Sequence, residues 1–342
     1  MPSFAAWMTA LSRIILVLGG SVMKWWARAL VGVVLSAAAG PAVSAEPVGI
    51  GSSPAGTVTN RQALAIAKVA VESTALNLRV QTFGGTAQVV PLVDSGELAF
   101  GIANPLELVY AYHGKGTFEG QPNPNLRLVG PTYPSRVGYL VRADSGMTSI
   151  KDLRGKRLAT EFSSGPVIAV VNKAMLANAG LTLADIVAVP TAGIRQGNQD
   201  FAAGKTDAVI SVVGSGLSAK VAAEVGDLRF LPIDPSEKAV AALRSYFPPM
   251  APFKVMPRPG LVAVPEPMWT MSYPFLLYTG KEVDDATVAA MARTIHDNKD
   301  ALAAVVPAFA ALDPGKMATG YGVPHHPGAV QFYKEVGIWS GQ

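Results

Sequence analysis

From Val48 onward the spacing of apolar residues switches repeatedly between two periods. A short apolar run, Val48 to Ile50, stops in the glycine- and hydroxyl-rich stretch "GIGSSPAGT" (49–57). From Val58 the apolar residues of "VTNRQALAIAKVAVESTAL" recur at helical spacing, predicting a strand end, a loop and a helix over 58–76. "LRVQTF" (78–83) alternates as a strand does, "GGTAQVVPLVDSG" reads as turn plus helix, and "LAFGIAN" (98–104) as a buried strand. "PLELVYAYHG" predicts a further helix, and "LRLVGPTYPSRVGYLVRA" one or two strands. This β-α-β-α-β rhythm predicts a mostly parallel sheet flanked by helices.

A second cycle follows. "SIKDLRGKRLATEF" gives a helical turn, a tight turn and a strand; "SSGPVIAVVNKAMLANAG" gives a loop and a helix closed by Gly180. "DIVAVPT", "TDAVISVVG" and "LRFLPID" read as strands, separated by helices in "IRQGNQDFAAGK" and "SGLSAKVAAEVG". The two cycles match in order and length but not in residues, so the architecture repeats and the sequence does not. After Asp234 the pattern breaks. Seven prolines between Pro248 and Pro267 remove backbone donors and disfavour helix, predicting an extended return path. "MWTMSYPFLLYTG" then predicts a strand and "DDATVAAMARTIHDNKDALAAV" a helix begun by acids, ahead of the closing "PHHPGAVQFYKEVGIW".

Residues 1–45 do not fit this alternation. "MKWWARALVGVVLSAAAGPAVSA" (23–45) has the cations Lys24 and Arg28, an apolar run from Ala29 to Ala39, and small residues ending at Ala45. This is the layout of a secretory signal peptide cleaved after Ala45. A membrane anchor is the alternative, but spanning a bilayer takes about 20 apolar residues. A signal starting at Met23 is complete without residues 1–22, which points to Met23 as the initiator. The chain has no cysteine, which removes a lipidated-cysteine anchor, disulfides and thiolate metal sites. A signal with no anchor predicts a soluble periplasmic protein.

The leader changes the charge balance. The chain carries 28 basic and 24 acidic residues; Arg13, Lys24 and Arg28 lie in the leader, leaving 25 against 24 and a net +1. No basic run with interleaved aromatics suggests a nucleic-acid partner. The 297 residues of 46–342 are enough for two domains of about 100–200 residues each.

Candidate chemistry gathers in the loops that join strands to helices. Orphan N–H groups and the positive dipole end at a helix start favour an anion. In the opening loop Ser52, Ser53 and Thr57 add hydroxyls, while Gly51 and Gly56 permit close approach. Plain capping by Thr57 or Thr59 explains the same residues. Gly85 and Thr86 repeat this chemistry before the next helix, with an ordinary turn as the alternative. Asn104 ends a buried strand, on the side where ligands of open α/β sheets sit. Ser163, Ser164 and Gly165 form a further strand-to-helix loop, and Gly214 and Ser215 another. Arg136 and Arg61 can pair a carboxylate bidentately or lie on the surface; Tyr133 can pack on a solute or fill the hinge. His325-His326 lacks a third ligand at metal spacing and reads as a loop pair. No catalytic or phosphate-loop motif occurs, and neither cofactor nor metal is expected.

Four stretches in order resemble the TAXI family of solute receptors, the binding subunits of a class of TRAP transporters. They are "IGSSPAGTVTNRQALAIAKV", "TFGGTAQVVPLVDSGELAFGIAN", "RADSGMTSIKDLRGKRLATEFSSGP" with "FAAGKTDAVIS", and "HHPGAVQFYKEVGIW". Two steps depart from the family pattern. Val58-Thr59 follows Gly56-Thr57 where an aromatic pair is usual, and Ser163-Ser164-Gly165-Pro166 replaces a Gly-Ser-Gly-Thr step. Those departures put the usual acidic amino-acid ligand in doubt. The resemblance implies a two-lobed type II periplasmic-binding-protein-like α/β fold that closes about a hinge. Its lobes comprise 46–137 with 265–342, and 138–264. It implies a monomeric receptor holding a small anionic solute, such as a carboxylate, in the cleft and delivering it to TRAP permease subunits. The alternatives are an ABC-type receptor for a sulfonate or pyrimidine-type solute, and an enzyme on the same architecture. Cleavage after Ala45 predicts an exported chain that begins Glu46-Pro47-Val48 on N-terminal sequencing; retention of Trp25-Trp26 in that chain contradicts the leader assignment.

Overall fold

The computed structural model describes residues 47–74 and 76–341. The expected leader lies outside the described residues. Among them no helix is long and apolar enough to cross a membrane.

Strands β1 (Val48–Ser52), β2 (Leu78–Thr82) and β3 (Phe100–Ala103) are parallel, with β1 in the middle. Their crossovers are helices α1 (Val58–Ser73) and α2 (Thr86–Asp94), as the alternating periods predict. Helix α3 (Pro105–His113) follows, capped by Asn104, started by Pro105 and stopped by Gly114 in the left-handed region. The second cycle gives β5 (Arg157–Glu161), α4 (Val167–Asn178), β6 (Val187–Thr191), α5 (Ile194–Ala202), β7 (Ala208–Val212), α6 (Gly216–Val225) and β8 (Leu228–Leu231).

Two long strands join the cycles. The one-or-two-strand stretch is a single strand, β4 (Leu126–Arg142), and its partner is β10 (Met268–Gly280). They run antiparallel, and the sheet order is β2-β1-β3-β10-β4-β7-β5-β6. The far end of β10 pairs with β3, while the far end of β4 pairs with β7 and β8. Midway, Pro134 faces Pro274, so neither residue donates to the ladder there. Between Pro131/Leu276 and Pro134/Pro274, β4 holds one residue more than β10, a bulge at Thr132 and Tyr133.

Three expectations need correction. The proline-rich return contains strand β9 (Ala251–Val255) paired to β10, because edge strands tolerate proline. Before it lies an unforeseen helix, α7 (Glu237–Arg244), begun at Ser236. The late acidic-start helix is two, α8 (Asp285–Asp297) and α9 (Lys299–Val305), divided at Asn298, whose side chain bonds back to the Thr294 carbonyl. The closing stretch forms α10 (Pro327–Glu335), capped by His326.

The sheet is mixed: β1, β2 and β3 pair in parallel, as do β5, β6 and β7, while every pairing of β4 and β10 is antiparallel. Both of its faces are covered. Val89, Val90, Val93, Leu128 and Leu276 pack under α2 and α3, and Leu140, Phe162, Phe201, Val209 and Phe230 form a counterpart around the second cycle. A larger core beneath α1, α4, α8 and α10 continues across both. Packing between β3 and β10 leaves no room at Gly101, where a Cβ would lie 2.4 Å from the Tyr278 ring. Tyr278 is fully buried and cannot swing aside. Gly101→Ala is therefore expected to destabilise the protein by about 1–3 kcal/mol, read as a lower denaturant midpoint; an unchanged midpoint contradicts this packing.

Candidate functional site

Three connected chambers lie along the line where the two cycles face each other. The first, about 340 Å³, is lined by Arg61, Tyr133, Arg136, Gly214, Ser215, Arg258, Leu261 and the 306–308 turn, among others. The second, about 100 Å³, shares Val58, Val212 and Ser215 with the first. Its wall is mostly apolar, with Val137, Ile168, Ile194, Leu217, Tyr273 and Phe275, and is dotted by Ser53, Thr57, Thr86 and Asn104. The third, about 200 Å³, shares Ser53, Thr57, Thr86, Ile168 and Ile194 with the second and adds Gly85, Ser164, Gly165 and Arg195.

Helix starts converge here. Thr57 caps α1, Gly85 precedes α2, Asn104 caps α3, Gly193 precedes α5 and Ser215 caps α6; all but Gly193 were singled out in the sequence. The first N–H groups of each helix have no intrahelical acceptor, so these starts present partial positive charge to the chambers.

Most of the hydroxyls are committed locally. Thr57 Oγ1 donates to the Pro54 carbonyl at 2.7 Å and accepts from Asn60 N–H at 3.4 Å. Ser52 is fully buried behind the loop, accepts from Asn60 Nδ2 at 3.2 Å and lines no chamber. Ser164 donates to the Ala192 carbonyl at 2.7 Å, and Ser215 accepts from Ser218 N–H at 3.1 Å. Ser163 is exposed and lines none of the three chambers. Ser53 Oγ, by contrast, has no hydrogen bond to the described residues and borders two chambers. Gly85 matters by its size: a Cβ there would lie 1.8 Å from the Ser164 carbonyl oxygen, so the two loops touch across the cleft.

The bulge in β4 sets the first chamber. Tyr133 is 5% exposed, stacks edge-on to Phe309 at 4.8 Å and still borders the cavity, so it fills the interior and lines the site at once. Burial pushes its hydroxyl up to about 12, against the opposing pull of Arg61. Arg136 lies 4.1 Å over the Phe253 ring, and its buried Nε has no partner among the described residues. Its guanidinium is held below the usual arginine range, first by burial and then by the neighbouring Arg258. Arg258 sits in the proline-rich return and escaped the sequence reading, because nothing in "MPRPGL" distinguishes it from a surface arginine.

Glu107 was also missed. In sequence it is an ordinary first-turn acid; in the fold it is fully buried behind the second chamber. Its Oε2 accepts from Thr86 Oγ1 at 2.7 Å and Asn104 Nδ2 at 3.3 Å, and its Oε1 has no partner among the described residues. Burial raises its carboxyl to about 7, against the Thr86 hydrogen bond. His326 is a capping residue whose Nδ1 accepts from Gly328 N–H at 3.2 Å. No group of three or more potential metal ligands occurs among the described residues.

The profile of the NMT1-like family matches residues 50–337. The chain belongs to the NMT1-like family. Among solved structures, "Structure of a periplasmic transporter" is similar at TM-score 0.51 and 14% identity, covering 85% of this chain and 92% of that one. The alkanesulfonate-binding protein SsuA from Xanthomonas axonopodis pv. citri bound to MOPS is similar at TM-score 0.47 and 16% identity, covering 78% and 84%. A putative periplasmic sulfonate-binding SsuA of an ABC transporter from Methylobacillus flagellatus KT is similar at 0.44 and 17%, covering 87% and 89%. The NMT1-like chain has the expected type II periplasmic-binding-protein fold. The resemblance to TAXI receptors, and with it the TRAP permease partner, is corrected: the family that matches residues 50–337 is NMT1-like. The four stretches behind that resemblance are the β1–α1 loop with its helix, the α2 region with β3, the β4–β5 connection with β5 and the start of β7, and helix α10.

Between the ordinary carboxyl value of 4.5 and about 7, folded Glu107 keeps a proton that the unfolded chain has released. Its contribution to stability is full below pH 4.5 and falls as pH rises through about 7, by about 3 kcal/mol in all. Glu107→Gln keeps an acceptor for Thr86 and Asn104, so it is expected to remove this slope and to raise stability at pH 8. Denaturant unfolding at pH 5 and pH 8 checks this; identical pH slopes in both proteins contradict it.

Proposed function

We propose that this NMT1-like chain is a periplasmic, non-enzymatic receptor that captures a small organic anion and hands it to the membrane subunits of an ABC-type importer. In this reading residues 46–137 with 265–342 form one lobe and 138–264 the other, and β4 and β10 are the hinge. The Pro134–Pro274 step and the adjacent bulge supply the weak point, since the ladder is interrupted there.

One observation carries the proposal. The charged side chains lining the three chambers, Arg61, Arg136, Arg195 and Arg258, are all cationic, and among the described residues no carboxylate lines them. The predicted net charge of the mature chain is only +1, so this concentration is local, not a reflection of a basic protein. Low-dielectric walls around unpaired cations focus the field on an incoming anion. The converging helix starts act in the same direction. Ser53 supplies an uncommitted hydroxyl, while Asn104 and Ser215 shape the pocket through their capping bonds and Thr86 through its bond to Glu107.

A ligand that binds only the folded, closed form stabilises it by about 2.7 kcal/mol at a hundredfold excess over Kd. Protein isolated from its host under native conditions should carry one small anion by native mass spectrometry. Stripping that anion by unfolding and refolding should lower the melting temperature and enlarge the radius of gyration, and adding it back should reverse both. A bare chain mass, with no small acid able to shift either quantity, overturns the receptor reading.

A further inference from the structure

The first chamber poses an electrostatic problem that the protein alone does not solve. Arg61 comes from the first turn of α1 and Arg136 from β4, both within 46–137, and Arg258 comes from the return after β9 in the other half of the fold. None of the three forms an ion pair with a described residue. Arg136 and Arg258 repel each other closely enough to lower the affinity of Arg136 for its proton, and Arg136 Nε is buried without a partner. Packing on Phe253 at 4.1 Å fixes the guanidinium instead of letting it escape to solvent. Like charges held together at a partly buried site are relieved by an anion placed between them. A single negative charge among three guanidinium groups leaves an excess of positive charge; two come much closer to balance.

The adjoining chamber has the opposite character. It meets the arginine chamber at Val58, Val212 and Ser215, and its far wall is Ile168, Ile194 and Phe275. At about 100 Å³ it takes a short hydrocarbon and little more.

Resting on the receptor reading above, we propose that the solute is an amphipathic dianion: a doubly charged head in the Arg61–Arg136–Arg258 chamber and a short apolar body in the neighbouring one. A phosphonate, a phosphate monoester or two carboxylates on one carbon meet the head requirement. The head sits between Arg61 and Arg136 of one half and Arg258 of the other, so it ties the two halves of the fold together and couples charge recognition to closure.

Isothermal titration at pH 9.5, where the phosphonates are doubly ionised, with butylphosphonate, butanesulfonate, pentanoate and methylphosphonate tests this. Butylphosphonate should bind at least tenfold more tightly than butanesulfonate or pentanoate, which share its body but carry one charge. Methylphosphonate should bind more weakly, by roughly fourfold for each methylene it lacks. Arg258→Gln, at an exposed position that cannot threaten the fold, should weaken butylphosphonate by about 10- to 150-fold. Arg136→Gln should do the same with an unchanged unfolding midpoint in the absence of ligand. Equal affinities for the singly and doubly charged probes, or an unaltered affinity in Arg258→Gln, overturn the dianion proposal and leave the receptor reading standing. Failure of every probe to bind also overturns it, and the receptor reading is then judged separately by the host-derived complex.

Discussion

The pairing of β4 with β10 is the constraint on which the rest of the molecule depends. Two strands of 17 and 13 residues are the only elements whose ladder reaches both cycles of the fold among the described residues. The pairing must be continuous to hold the sheet together and must yield somewhere if the halves are to move. Both demands are met at one place, where Pro134 faces Pro274 and one extra residue of β4 bulges out. The bulge also turns the strand so that Tyr133 packs on Phe309 and Arg136 packs on Phe253. The same irregularity that softens the strand pair therefore builds the wall of the largest of the three chambers.

Polar groups around the cleft fall into two populations with different physical origins. The threonine, serine and asparagine side chains at the helix starts mostly satisfy backbone donors of their own helices: Thr57 for Asn60, Asn104 for Glu107, Ser215 for Ser218. Their contribution to a ligand is indirect, because they orient helix ends whose first N–H groups stay unpaired. The arginines have no such local duty. Arg136, half-buried beside Arg258, is held below the usual arginine range, and no ion pair with a described residue offsets this. Against them stands Glu107, which burial keeps largely protonated below neutrality. Once ionised it places a negative charge behind Thr86 and Asn104, at the edge of the second chamber.

Much of this was legible in one dimension. The strand–helix alternation, the loops at 52–57, 85–86, 163–165 and 214–215, and the extended path of the proline-rich return all follow from periodicity and turn chemistry, which act over a few residues. So does the identity of the helix caps, since a cap is a contact between residues three apart. Helix α7 was obscured by its proline-rich setting, and the break between α8 and α9 was hidden in an unbroken helical pattern. The family resemblance drawn from the loops failed for a related reason: glycine and hydroxyls before a helix are demanded by the α/β fold and do not distinguish one class of receptor from another.

What the sequence by itself determined is the set of local elements and the places where loops meet helices, because backbone stereochemistry and capping are settled among near neighbours. Only the tertiary structure decided which of those loops share a cleft, that Ser52 lies behind it, and that Ser163 stands outside its three chambers. It alone joined Arg61, Arg136 and Arg258, which are separated by up to 197 positions and come from a helix, a strand and a loop. It alone buried Glu107, whose sequence context is that of any acid in a first helical turn. The reason is common to all of these: a side chain's charge is written in the sequence, but its solvation and its neighbours are properties of the packed sheet.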